Sequence, residues 1–164
     1  MKLIKQKFEI IEQQAGLEGM YKQIELAGRV SHKSEDKITE DSAKKFVDTM
    51  IKLGHGATLE FGTVYLYFPI DYNDKHLYHR AMEYDKNPYS KVRIAFEENG
   101  QPIHKDNGYY VTSNMRVLLE NNWLDDLKYL CEPTEYHEKR YCVKFTCDRG
   151  VSHEFVRHKL LCVA

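Results

Sequence analysis

No run in this chain approaches the roughly eighteen consecutive apolar residues of a spanning helix. The opening MKLIKQKFEIIEQQ is too interrupted by charge for a secretory apolar core. A cytoplasmic protein with no membrane partner is the expectation. Excess charge of either sign is also lacking: 24 Lys and Arg face 25 Asp and Glu, for a net charge of -1. That balance removes any global attraction for duplex nucleic acid, and no nucleic-acid partner is expected. Cysteine is sparse. Cys131, Cys142, Cys147 and Cys162 contain no C-x-x-C pair, so neither a zinc ribbon nor a dithiol redox centre is signalled, and buried structural thiols are the expectation. His76 and His79 lack the cysteine or carboxylate company a metal site needs, so no metal is expected. There is no internal repeat and no low-complexity linker.

What is present suits one soluble domain: 164 residues, 42% hydrophobic and 30% charged. Lys2 to Ile11 reads as an opening strand, and Leu17, Met20, Tyr21, Ile24 and Ala27 recur at helical spacing. Thr39 is the expected N-cap of a second helix, with Glu40 and Asp41 in its first turn, a stripe of Phe46, Val47, Met50, Ile51 and Leu53, and Gly54 as its stop. GTVYLYFPI, from Gly62 to Ile70, is the clearest strand. From Asp71 to Gly108 the pattern dissolves into charge, tyrosine and turn residues, which reads as an insertion at about 71–108 with a hairpin-like element near Lys91 to Phe96. Tyr109 to Thr112 resembles a short strand, Asn114 caps a helix through Leu119, and Trp123 to Leu130 forms another short helix. Lys139 to Cys147 alternates as a strand, and Val151, Phe155, His158 and Cys162 mark a final helix. The fold class is α+β, with the strands near Lys2–Ile11, Gly62–Ile70 and Lys139–Cys147 sharing one largely antiparallel sheet flanked by helices.

Three clusters carry chemistry: Arg29-Val30-Ser31, the turn Gly54-His55-Gly56-Ala57-Thr58-Leu59-Glu60, and Glu154 through Lys159. Glycines on both sides of His55 permit close backbone approach to a ligand. Arg157, His158 and Lys159 project in different directions from one helix and form an anion-binding surface. Each cluster alone is equally an ordinary loop or a solvated helix face.

In order, GRVSHKS, GHGATLEFGTVYLYF and CDRGVSHEFVRHK resemble the flavin-dependent thymidylate synthases, and the resemblance covers nearly the whole chain. Arg29, Val30 and Ser31 match that family's R-V-S; His55 and Glu60 match its H-x-x-x-x-E-H loop; Arg157 and His158 match the start of its R-H-R signature. The stretch between Asp71 and Asp148 looks like the insertion of a longer-chain branch. The resemblance implies methylation of dUMP to dTMP, with FAD as redox carrier and methylenetetrahydrofolate and NADPH as co-substrates. It implies His55 and Arg157 as catalytic residues. Ser31, Ala57, Glu60, Arg157, His158 and Lys159 would line the FAD site, and Glu154 and Arg157 the dUMP site. It also implies a homotetramer with sites between subunits.

Three positions depart from the pattern. Phe61 replaces the last histidine of the loop, Lys159 replaces the second arginine, and the signature serine lies beyond Ala164. The expectation is therefore an N-terminal portion of the fold, incomplete at its C-terminus. The rival readings are a non-catalytic FAD- or nucleotide-binding remnant, an oligomerising fragment, or an unrelated phosphate-binding domain.

Overall fold

The computed structural model of the protein describes residues 5–70, 75–95 and 107–157. Its elements run β1 (Lys7–Ile11), α1 (Gly16–Ser31), α2 (Ser42–Leu53), α3 (Gly56–Leu59), β2 (Thr63–Pro69), α4 (His76–Lys86), β3 (Lys91–Ala95), β4 (Gly108–Asn114), α5 (Met115–Glu120), β5 (Cys142–Thr146) and α6 (Arg149–Val156). Short 3-10 helices occupy Glu35–Lys37 and Leu124–Tyr129. The α+β class and the antiparallel pairing hold. The expected helix at Trp123 to Leu130 is this second 3-10 helix.

The single shared sheet does not hold. β2, β4 and β3 form a three-stranded antiparallel sheet with β4 in the centre, while β1 pairs only with β5 in a separate ribbon. The reason lies at the second edge of β2. There Cys131 N–H donates to Tyr65 O at 2.9 Å, Leu130 forms a bridge with Leu66, and the His137 ring meets Leu66 O at 3.2 Å. The segment after the 3-10 helix thus takes the hydrogen-bonding groups that β1 or β5 would need. An antiparallel edge has one set of such groups, and it is already used.

The core forms where α1, α2 and α5 meet this sheet: Met20, Ile24, Val47, Leu59, Val64, Leu66, Phe68, Val111, Met115 and Leu118 are all buried. β4 is buried along its whole length, as a central strand covered on both faces must be. The described residues between Asp71 and Gly108 hold more regular structure than their composition indicates. They supply α4, whose Ala81 and Tyr84 are fully buried, and the edge strand β3. α4 escapes a periodicity reading because its buried stripe is narrow amid His76, His79, Arg80, Glu83 and Asp85.

Local signals fared unevenly. Gly54 closes α2 in the left-handed region at φ 68°, as its sequence position predicts. Asn114 caps α5, its side-chain oxygen accepting from Val117 N at 3.0 Å. Thr39 does not cap α2, because Ser42 begins that helix and its hydroxyl instead accepts from Thr39 N at 2.9 Å and donates to buried Glu25 at 2.7 Å.

His137 locks the edge of the sheet. Its Nδ1 accepts from Thr134 N at 3.1 Å, so Nε2 carries the proton and donates to Leu66 O at 3.2 Å. Burial holds its pKa below the ordinary 6.5, against a smaller upward pull from the Leu66 carbonyl. Below 6.5 the unfolded chain takes up this proton before the folded one does. Stability should therefore fall as pH drops through 6.5 and level off only below the depressed folded value. Urea unfolding between pH 7 and 5 checks this: His137→Gln should flatten that slope, and an unchanged slope would refute the assignment.

Candidate functional site

The elements that carry the first two sequence clusters pack together. α3 packs on α1, α2 and α5. A side chain at Gly28 would run into the Phe46 ring and lie 2.9 Å from Thr58 Cγ2, so the glycine before Arg29 is what lets α3 seat on α1. Arg29 itself is occupied. Its Nη2 pairs at 3.1 Å with Glu25, which is 1% exposed on its side chain, and its guanidinium lies 4.9 Å from the centre of the Phe46 ring. Arg29 is therefore an internal brace, and Ser31 stands exposed at the end of the helix it braces.

On α3 and its flanks, His55 and Ala57 are exposed, while Glu60 is partly buried and bound. Arg116 of α5 holds it at 3.2 Å and holds Glu120 at 2.7 Å with the other side of its guanidinium. The Arg116 side chain also lies under Gly56, where an added Cβ would meet its Nε at 3.2 Å. Sequence reading missed Arg116 because nothing in its local pattern separates it from a solvated helix arginine.

The third cluster sits elsewhere. Asp148 caps α6 by accepting from Gly150 N at 2.8 Å and Val151 N at 3.2 Å, and Phe155 stacks on Phe145 of β5 at 4.9 Å between ring centres. α6 thereby rides on the β1–β5 ribbon. Arg157 and Glu154 are both exposed and face each other at 3.4 Å. His158 and Lys159, together with Cys162 and the apolar end, lie outside the described residues. The structure thus keeps His55, Ala57 and Glu60 together on α3 and its flanks, puts Ser31 at the end of the helix on which α3 packs, and pairs Glu154 with Arg157 on α6.

Cys131, Cys142 and Cys147 are free thiols that are half-buried rather than buried as expected. Burial, then the Glu132 charge, pushes Cys131 up to about 11, and burial raises Cys142 as well. Among the described residues no group of three or more His, Cys, Asp or Glu could hold a metal ion, and no helix is long and apolar enough to cross a membrane. Compared with known proteins, the chain matches no family model, no curated protein and no solved structure.

Proposed function

We propose that this chain is a flavin-dependent thymidylate synthase-like domain that binds FAD, and that it serves the methylation of dUMP with methylenetetrahydrofolate and NADPH. The observation carrying this reading is the seating of the His55–Glu60 turn on the R-V-S helix through Gly28. Gly28, beside the first motif, and Thr58, inside the second, lie thirty residues apart in sequence and pack against each other, which supports the reading.

The donor chemistry fits a flavin nucleotide. Arg157 offers an always-charged fork for phosphate or ring carbonyl oxygens, and its present partner Glu154 is a solvent-exposed contact of little energetic weight. His55 offers an exposed imidazole, and Ala57 a small surface that a ring system can approach closely. When bound, the flavin supplies the hydride and one-carbon chemistry; the protein supplies orientation and charge. In this reading Ser31, Ala57, Glu60, His158 and Lys159 hold the cofactor with Arg157. Glu60 is a fixed carboxylate because Arg116 anchors it. Glu154 and Arg157 receive dUMP, His55 and Arg157 serve the chemistry, and subunits of a homotetramer complete the sites.

A flavin fluorescence titration at fixed salt tests the reading. FAD should bind, and Arg157→Ala should weaken it at least about tenfold, the loss of one charged hydrogen bond. Lys159→Ala should weaken it less, since an ammonium is a mobile point charge. Undiminished binding by Arg157→Ala would remove α6 from the cofactor site. Tritium release from labelled dUMP separates a turnover-competent protein from one that only binds flavin.

A further inference from the structure

Between the β1–β5 ribbon, α1 and the head of β2 lies a cleft of about 350 Å³. That is the small end of the range for ligand pockets, about 300–1,000 Å³. None of Ser31, His55, Ala57, Glu60, Glu154 and Arg157 lines it.

Two glutamines wall this cleft, and the fold treats their amides differently. Gln13 is fully used: its Nε2 donates to Thr63 O at 2.8 Å and its Oε1 accepts from Thr63 N at 2.9 Å. Gln23 is only 5% exposed, and among the described residues its Nε2 has no oxygen or nitrogen acceptor, only the weak pull of the Cys142 sulfur. Its neighbour is the Cys142 thiol, which burial raises more than the Gln23 amide lowers. A thiol is a weak acceptor and does not satisfy an amide. A buried donor of this kind calls for an acceptor, because burying an amide without one is unfavourable.

The rest of the lining narrows the chemistry. Arg140 is fixed by one Nη1 bond to Ser113 O at 3.3 Å, which leaves most of its five N–H donors for another acceptor. Lys139 stands beside it, and Glu12 is the one carboxylate among the lining residues. Two cations against one carboxylate match a monoanion, whereas a phosphate dianion would leave a negative charge uncompensated. The guanidinium fork also suits a planar carboxylate. Phe61 and Tyr65 contribute aromatic surface. We infer that this cleft binds a single-ring aromatic carboxylate, with a ring acceptor toward the Gln23 amide and the carboxylate toward Arg140 and Lys139. The site is separate from the flavin reading and stands or falls without it.

The test is an NMR titration of the full chain, labelled with nitrogen-15, using nicotinate, benzoate and inorganic phosphate as probes. Nicotinate at millimolar concentration should move the Gln23 side-chain amide and Arg140 Nε–H signals. It should bind at least about fivefold tighter than benzoate, which has the carboxylate but no ring acceptor. Gln23→Leu should bring that ratio close to one, and Lys139→Met should weaken both carboxylates together. An unmoved Gln23 amide, a ratio near one in the unmodified chain, or phosphate shifting both signals as strongly as nicotinate would each overturn the inference. Should Gln23→Leu fail to fold, the ratio and the Gln23 signal in the unmodified chain decide it.

Discussion

Phe68→Ala should destabilise the protein by about 3–5 kcal/mol, the cost of truncating a fully buried phenylalanine. Phe68 is 0% exposed near the C-terminal end of β2 and meets Tyr129 edge-on at 5.1 Å and Tyr84 at 6.0 Å between ring centres. Its neighbours come from three separate parts of the chain: α4, the 3-10 helix and the sheet. They cannot collapse together into the space, so the loss includes a cavity as well as a transfer contribution. Chemical denaturation checks it, with Phe8→Ala as control because Phe8 is 66% exposed on the ribbon. A loss below about 1 kcal/mol for Phe68→Ala would contradict this account of the core.

Asp126→Ala should cost about 3 kcal/mol, near the low end for breaking a buried ion pair. Asp126 is 6% exposed and accepts from the Tyr84 hydroxyl at 3.1 Å. Arg80 Nε approaches the same oxygen at 3.3 Å, an ion pair without hydrogen-bond alignment. The alanine leaves a fully buried tyrosine hydroxyl without its acceptor. Arg80 keeps Glu83 at 2.7 Å and its place 5.0 Å from the centre of the Trp123 ring, which limits the penalty. Asp126→Asn retains an acceptor for Tyr84 and should cost less. Burial raises the Asp126 pKa despite Arg80 and Tyr84 pulling it down. With the folded pKa above the ordinary 3.8, the folded state binds the proton more tightly, so this group makes stability fall as pH rises from 3.8 through the raised value. Asp126→Asn should remove that decline. Equal losses for the two variants, with an unchanged pH slope, would show that the carboxylate has no such role.

Legibility in the sequence followed the range of the interaction. The stops and starts fixed by one residue's own backbone or side chain were readable: Gly54 at the end of α2, Asn114 at the start of α5, the β-branched and aromatic run of β2. Features set by competition between distant groups were not. Thr39 does not cap α2, which starts at Ser42 behind Asp41, and the Ser42 hydroxyl is held by Thr39 N and by Glu25, seventeen residues away. Arg29 of the R-V-S match gives no local sign of its partner, the carboxylate of Glu25 one helical turn back, or of the Phe46 ring it lies over. α4 stayed hidden because two buried residues in a charged segment give almost no periodic signal, although the core they enter is large.

By itself the sequence determined the α+β composition, the identity of most elements, and the three residue clusters on which the flavin reading rests, because each follows from local spacing and side-chain chemistry. The tertiary structure alone decided that β1 and β5 leave the main sheet, that Arg116 grips Glu60, and that Gln23 and Arg140 share a cleft. Each of these depends on which of several chemically equivalent partners arrives first in space. Backbone edges, carboxylates and amides have few bonding positions, and once Cys131, Arg116 or Thr63 fills one, every other candidate must go elsewhere.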